Sequence, residues 1–84
     1  MFMQRYFLHL HNDINAPDEE GQEFPDDRAA LECALSSARD VASSAVRTGS
    51  LNLNHFIICV ADDGREVGIV RFGDAVRVVA ISAG

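Results

Sequence analysis

The sequence has 84 residues, of which 48% are hydrophobic and 24% are charged. That balance is typical of one small globular domain near the lower size limit for a single core. It excludes a disordered chain, a low-complexity repeat and a membrane span, because no uncharged apolar run approaches the ~18 residues that a bilayer requires. The net charge is −6 and residues 1–27 carry the whole excess, so nucleic acid and anionic membrane surfaces are not expected partners.

The first predicted element is a strand over residues 4–11. Its side chains alternate with period two, one face holding Tyr6, Leu8 and Leu10 and the other holding Phe7, His9 and His11. A loop is expected over residues 12–17, and residues 20–24 are predicted to form a short acidic strand that pairs back on the first. Acidic side chains on such an edge strand oppose aggregation, because like charges on neighbouring copies repel each other.

A long amphipathic helix is predicted from about Asp27 to Thr48. Asp26 is placed to act as its N-cap, since the carboxylate can accept hydrogen bonds from the free amides of the first turn. Asp27 adds favourable charge at the positive end of the helix dipole. The apolar stripe is mostly alanine, which lets the helix lie close to a sheet, and consists of Ala30, Leu31, Ala34, Leu35, Ala38, Val41, Ala42, Ala45 and Val46.

A β-hairpin is predicted after the helix, with strands over residues 55–61 and 65–72. Asp63 and Gly64 lie between the two apolar runs and favour a type I′ turn, which needs positive φ at both central positions. Residues 75–81 are apolar enough to form a last strand or an ordered segment that covers the core.

The element order β(β)αββ predicts an α+β fold of two layers. One long helix would cover one face of a small antiparallel sheet of three to five strands, in a single domain over residues 1–84. The other face would carry Phe7 with apolar residues of the 55–61 strand, and a large exposed apolar patch usually marks an interface. We therefore expect a homo-oligomer or a complex with another protein.

The two cysteines, Cys33 and Cys59, fit neither a C-x-x-C redox motif nor the spacing of zinc ligands. Residues 1–11 lack the unbroken apolar stretch and the small-residue cleavage site of a signal peptide. A reduced, cytoplasmic protein is therefore expected, although a disulfide between the two cysteines is geometrically possible. Cys59 is predicted to be buried in its strand, whereas Cys33, about 140° from the apolar stripe, is predicted to be exposed or at an interface.

Three potential metal ligands lie near the end of the first strand. His9, His11 and Asp13 would project from one face of an extended segment, and His55 could approach from another strand. This set makes a metal-binding or small-ligand-binding protein the alternative functional hypothesis. The simpler interpretation is that the histidines are polar or half-buried strand residues.

The acidic segment over residues 13–27 is interpreted as a solvated surface that repels or orients partners. It does not match a calcium-binding EF-hand loop, because Pro17, Asp18 and Phe24 stand where that loop needs a ligand, a glycine and a glutamate. The candidate contact residues in this segment are Asp18, Glu19, Glu20 and Glu23.

The sequence contains no nucleotide-binding, hydrolase or zinc-protease motif, and its cysteines, histidines and acids form no local pattern of nucleophile and base. Asp62 and Asp63 resemble a catalytic acid pair only superficially, since the hairpin turn accounts for them. The expected function is therefore a non-enzymatic protein-interaction or regulatory module that needs no cofactor.

Several short motifs occur in a characteristic order: RYFLHL at 5–10, DEEG at 18–21, FPD at 24–26, DDGR at 62–65 and FGDAV at 72–76. The set resembles a family of small bacterial proteins of unknown function, in which a RYFFHL strand, a DEEGxELPD segment and a DxDGR hairpin recur. More distantly, the order of strand, Pro-Asp and Ala-rich helix is similar to that of HicB-type antitoxins, which neutralise a toxin by protein contact. The family resemblance implies no activity, and the HicB resemblance is one of topology, which does not establish function.

Overall fold

The computed structural model describes residues 3–13 and 15–79 of the chain. The strands and helices over these residues are β1 (Gln4–His11), β2 (Gln22–Phe24), α1 (Asp27–Arg47), β3 (Phe56–Ala61), β4 (Glu66–Arg71) and α2 (Phe72–Ala75). This order confirms the predicted α+β fold and adds one short helix after the hairpin.

The strands form one antiparallel sheet in the order β2-β1-β3-β4. β1 and β3 are its central pair, and their register runs from Tyr6 opposite Ala61 to His11 opposite Phe56. α1 packs on one face of the sheet, and α2 contacts both α1 and β4. The result is the two-layer arrangement that the sequence predicts, with strands distant in sequence at its centre.

The long helix begins and ends close to the predicted residues. The Asp26 carboxylate accepts a hydrogen bond of 2.8 Å from the Ala29 N–H, which is the expected N-cap. Arg47 is the last helical residue, and Gly49 follows with φ at +92°. Within the described residues, no helix combines the length and the apolarity that crossing a membrane requires.

The core lies between α1 and the sheet. Its largest fully buried side chains are Tyr6, Cys59 and Phe72. On the helix side the buried positions are all alanine, at residues 30, 34, 38 and 42. Because alanine projects so little, the helix backbone lies close to the sheet and the strands supply most of the core volume.

The hairpin between β3 and β4 is confirmed, but the prediction of a type I′ turn is wrong. Gly64 has φ at +88°, whereas Asp63 does not have positive φ. The Gly64 N–H donates to the Ala61 carbonyl at 2.9 Å, and the Ala61 N–H donates to the Arg65 carbonyl at 2.8 Å. This is a three-residue loop in which a left-handed glycine follows a type I turn, so only one position needs positive φ.

Two predicted strand segments differ from the structure. β2 begins at Gln22 rather than at residue 20 because the chain turns at Gly21, whose φ is +72°. After β4 the chain forms α2, and residues 76–79 have no regular secondary structure. The remainder of the predicted last strand, residues 80 and 81, lies outside the described residues.

Cys33 is half-buried rather than exposed. It packs against the core cluster that contains Cys59 and Phe24. The N-terminal half of α1 contacts β2 on one side and Val67 of β4 on the other, so its buried stripe is wider than the alanine pattern indicates.

Candidate functional site

The sheet face that points away from α1 is open. Side chains of β3 alternate between buried positions that face α1 and partly exposed positions on the opposite face. With their cross-strand neighbours, the latter form what we call the open face: Phe7, His9, His11, Phe56, Ile58, Val60 and Ile69. None of its apolar side chains belongs to the core clusters around α1, and Ile69 is 41% exposed. Among the described residues, no helix covers this face.

Ring stacking fixes the side chains along β1 on the open face. The rings of Phe7 and His9 are nearly parallel with centroids 6.2 Å apart. The rings of His11 and Phe56 stack across β1 and β3 at 4.8 Å. Rigid aromatic surfaces of this kind contribute strongly to contact energies in protein interfaces.

Charged side chains border the open face. Arg5 and Glu23 approach to 3.7 Å across β1 and β2. On β4, Glu66 lies opposite Val60 at one end of the face, and Arg71 closes the other end. An apolar centre inside a charged rim is the arrangement found in many protein–protein interfaces.

Asp18 organises the acidic loop from within. One carboxylate oxygen accepts hydrogen bonds from the N–H groups of Glu20 at 3.2 Å and Gly21 at 3.0 Å, and the other accepts from the Leu8 N–H at 3.2 Å. Burial opposes ionisation of this carboxyl, yet the three backbone donors hold its pKa below the usual value. The Asp18 carboxylate therefore accepts from the Leu8 N–H in place of a carbonyl of a neighbouring strand, and its oxygens are occupied by hydrogen bonds within the chain.

The three glutamates predicted as contact residues are exposed. Glu19 and Glu20 lie at the tip of the loop, next to the Gly21 turn. Glu23 pairs with Arg5, whose guanidinium also donates to the Glu20 carbonyl at 2.7 Å. Gly21 packs closely against the Phe7 ring, so this acidic loop borders one side of the open face.

The residues predicted as metal ligands make separate contacts. His9 Nδ1 accepts a hydrogen bond of 3.0 Å from the Asp18 N–H. His11 is stacked on the open face. The Asp13 carboxylate lies 3.4 Å from His55 Nε2 at the far end of β1. The described part of the chain contains no group of three or more His, Cys, Asp or Glu side chains that could hold a metal ion.

A polar cluster that the sequence does not indicate joins β1, α1 and the hairpin. The Arg65 guanidinium donates two hydrogen bonds to the Asp27 carboxylate, at 2.8 Å and 3.1 Å. The buried Tyr6 hydroxyl donates to the same carboxylate at 2.6 Å. We call these residues the Asp27 cluster, and it fastens the start of α1 to the sheet.

The Asp27 cluster shifts the ionisation of its members. The hydrogen bonds from Arg65 and then from Tyr6 lower the pKa of Asp27 to about 2. The hydrogen bond to Asp27, with burial, raises the pKa of Tyr6 to about 12. The Asp27 carboxylate also raises the pKa of Arg65 above its usual value. The cluster is therefore a fixed ion pair with a neutral phenol at neutral pH, and it acts as a structural clamp.

Comparisons with known proteins identify a family whose function is unknown. The profile of a family described as Domain of unknown function (DUF6894) matches residues 5–73, which is most of the chain. Neither the comparison with curated proteins nor the comparison with solved structures gives a match.

Proposed function

The chain belongs to the DUF6894 family, and we propose that it acts as a non-enzymatic protein-interaction or regulatory module in the cytoplasm. Its contact surface is the open face of the sheet. The observation that carries this proposal is an apolar centre, formed by Phe7, Phe56, Ile58 and Val60, that no helix of the described chain covers. Covering such a surface with a partner is favourable because it removes apolar area from water.

The charges around the open face indicate the chemistry of the partner. Glu19, Glu20 and Glu23 line the side next to β1 and β2, and the chain carries a net charge of −6. A complementary protein would present an apolar patch bordered by lysine or arginine on that side. The opposite signs would speed association and orient the partner on the face.

Three side chains of types that often act in catalysis, Cys59, Asp18 and Asp27, are unreactive or already engaged, which supports a non-enzymatic role. Burial raises the pKa of the Cys59 thiol, which keeps it protonated and unreactive at neutral pH. The Asp18 and Asp27 carboxylates are engaged in structural hydrogen bonds. Both cysteines are free thiols, which agrees with a reducing compartment.

Affinity capture with matched variants tests the proposal. Ile58→Arg places a charge at the centre of the open face, and Val46→Arg adds the same charge at a valine of α1 that is 57% exposed. From a lysate of the source organism, the wild-type chain and Val46→Arg should recover the same protein in near-stoichiometric amount. Ile58→Arg should recover about tenfold less, since central apolar contacts dominate interface energies.

Circular dichroism must show that the Ile58→Arg variant is folded, and Phe56→Ala serves as a second face variant if it is not. Equal recovery by a folded face variant would contradict the assignment of the open face. Failure of the wild-type chain to recover any protein would contradict the interaction role itself.

The alternative is a metal or small-ligand site that uses His9, His11 and Asp13. The hydrogen bond from the Asp18 N–H weighs against it: a metal bound through Nε2 of His9 would place the proton on Nδ1, where it would face the Asp18 donor. Elemental analysis of the purified chain and of a His9→Ala/His11→Ala variant distinguishes the two proposals. Metal present in the wild-type chain and absent from the variant would favour the alternative.

A further inference from the structure

A second apolar surface lies on the other side of the sheet, at its β4 edge. An open groove of about 570 Å³ runs between α1 and β4. Its apolar lining includes Leu31 and Leu35 of α1 and Val70 of β4. No strand of the described chain pairs with β4 on this side, because β4 is the last strand of the sheet.

The β4 edge offers free backbone groups beside the groove. The Phe72 N–H donates to the His55 carbonyl at 2.8 Å, which fixes the alternation of hydrogen bonds between β3 and β4. In an antiparallel ladder with this register, the N–H and C=O groups of Ile69 and Arg71 point away from β3. An unprotected edge of this kind is a template for another strand.

The segment that follows α2 has exposed apolar side chains that match the apolar groove. Val78 and Val79 are 64% and 68% exposed, the highest values among the exposed large hydrophobic residues of the described chain. The Arg39 guanidinium donates to the Ala75 carbonyl at 2.9 Å, so the start of this segment is anchored against α1. Beyond Val76, which packs against the core, the apolar side chains have no cover.

We propose that residues 77–79 of a second copy of this chain add to the β4 edge as a parallel strand, and that the exchange is reciprocal. Val78 would then point into the groove, towards Leu31 and Leu35. Arg77 and Val79 would point to the opposite side, next to side chains of β4.

Charge decides the direction of the added strand. β4 has a β-bulge at Val67, opposite the step from Cys59 to Val60 in β3. This bulge brings Glu66 and Ile69 into neighbouring positions on the same side of β4. A parallel alignment places Arg77 beside Glu66 and Val79 beside Ile69. An antiparallel alignment with the same valine contact would place Arg77 beside Arg71, where the like charges repel each other.

Residues 77–79 cannot pair in parallel with β4 of their own chain. Parallel neighbours need a crossover of about a dozen residues or more. Only residues 72–76 separate Arg71 from Arg77, and α2 occupies four of them. The parallel strand must therefore come from another copy, and because each copy has both the segment and the edge, the exchange closes as a symmetric dimer.

Analytical ultracentrifugation of the full chain over a range of concentrations tests the proposal. The wild-type chain should dimerise, and Val78→Asp/Val79→Asp should be monomeric. Val46→Asp is the matched control, because it adds a charge at an exposed valine of α1, and it should dimerise like the wild type.

A charge exchange provides a test that does not depend on losing the valine contacts. Arg77→Glu and Glu66→Arg should each raise the dimer dissociation constant by about tenfold, since each pair occurs twice in the dimer. The combined variant should restore dimerisation. A monomeric wild-type chain, or charge variants that do not rescue each other, would overturn the proposal.

Amide hydrogen exchange distinguishes this dimer from other associations. The amide of Ile69 should exchange more slowly in the wild-type dimer than in the monomeric valine variant. Protection of this amide in a chain that stays monomeric would overturn the proposal in favour of cover from within the chain.

The β4 pairing and the proposed partner site can fail separately. Ile58→Arg should leave the dimer intact, because Ile58 lies in the interior strand β3 and not at the β4 edge. Val78→Asp, at the position whose side chain points into the groove on the other side of the sheet, should leave capture by the open face unchanged.

Discussion

At the scale of single residues, hydrogen bonds of two aspartates stabilise the fold in addition to the burial of apolar side chains. The Asp27 carboxylate connects Tyr6 of β1 to Arg65 of the hairpin, over sequence separations of 21 and 38 residues. Asp18 organises its loop through backbone donors. Both acids stabilise the fold, whereas Glu19 and Glu20 of the same segment are exposed.

Asp27→Asn should lower Tm by several degrees and change how stability depends on pH. The folded-state pKa of about 2 lies below the ordinary value of 3.8, so this group stabilises the wild-type chain above about pH 4. That contribution is lost as the pH falls from about 4 towards 2. Thermal unfolding followed at several pH values should therefore show a steeper acid loss in the wild type than in Asp27→Asn.

Asp40→Asn is the control for this change, because Asp40 is an exposed acid of the same helix. It should keep the acid profile of the wild type. An unchanged acid profile in Asp27→Asn would show that the Asp27 cluster does not contribute to stability.

Gly21→Ala should destabilise the chain more than Gly49→Ala does. Both glycines have positive φ, where a side chain costs about 1–2 kcal/mol. At Gly21 a Cβ atom would also lie 2.8 Å from the Tyr6 carbonyl oxygen and 2.9 Å from the Phe7 ring, whereas at Gly49 it would meet nothing within 4 Å. Urea unfolding measures the difference in the free energy of unfolding. Equal losses in the two variants would show that the loop at Gly21 rearranges to accept a Cβ atom without a further loss of stability.

At the scale of elements, the parts with a clear period could be predicted from the sequence. The alanine repeat and the Asp26 cap locate α1, and the two apolar runs around Gly64 locate the hairpin. Alternation along residues 4–11 also predicts which side chains form the open face. The sequence therefore predicts whether an element is a helix or a strand wherever one face of that element is buried.

The rest depends on contacts between distant residues. The short α2 forms because the Phe72 side chain enters the core, which no local period reveals. The start of β2 is set by the approach of Gly21 to Tyr6. His9 fits a ligand pattern in the sequence, but its contact with the Asp18 backbone becomes visible only when the loop folds back on β1.

Ala38→Leu tests the close approach of α1 to the sheet. Ala38 is fully buried, so a larger side chain would force the helix away from the strands. We expect a loss of about 1–3 kcal/mol in the free energy of unfolding. Ser43→Leu on the exposed side of α1 should change it by less than about 0.5 kcal/mol. A neutral result for Ala38→Leu would show that the two layers are not closely packed.

At the scale of the whole molecule, charge is distributed unevenly around the open face. The acidic loop lies on the β1 and β2 side, and its glutamates extend beyond the structural Asp18. A partner bound on the open face, as we propose, would have one favoured orientation because of this asymmetry. The proposed β4 pairing lies at the opposite edge of the sheet, where Val79 of the second copy would pack beside Ile69 at the margin of the open face.

Glu19→Gln/Glu20→Gln should slow association with the captured partner and make it less sensitive to salt. Removing two exposed charges weakens the long-range attraction, which salt screens over about 8 Å at physiological ionic strength. Surface plasmon resonance at several salt concentrations measures this effect. Glu32→Gln on α1 is the control, and a salt dependence unchanged by the loop variant would contradict the role of the acidic loop.

Oxidative footprinting of the chain with and without the captured partner tests the central claim most directly, because it reports the exposure of individual side chains. We predict that the partner protects Phe7 and Phe56 from oxidation, while Leu53, which is 39% exposed outside the open face, reacts as before. Protection confined to α1 or to the β4 edge, with Phe7 and Phe56 unchanged, would contradict the assignment of the open face as the contact surface.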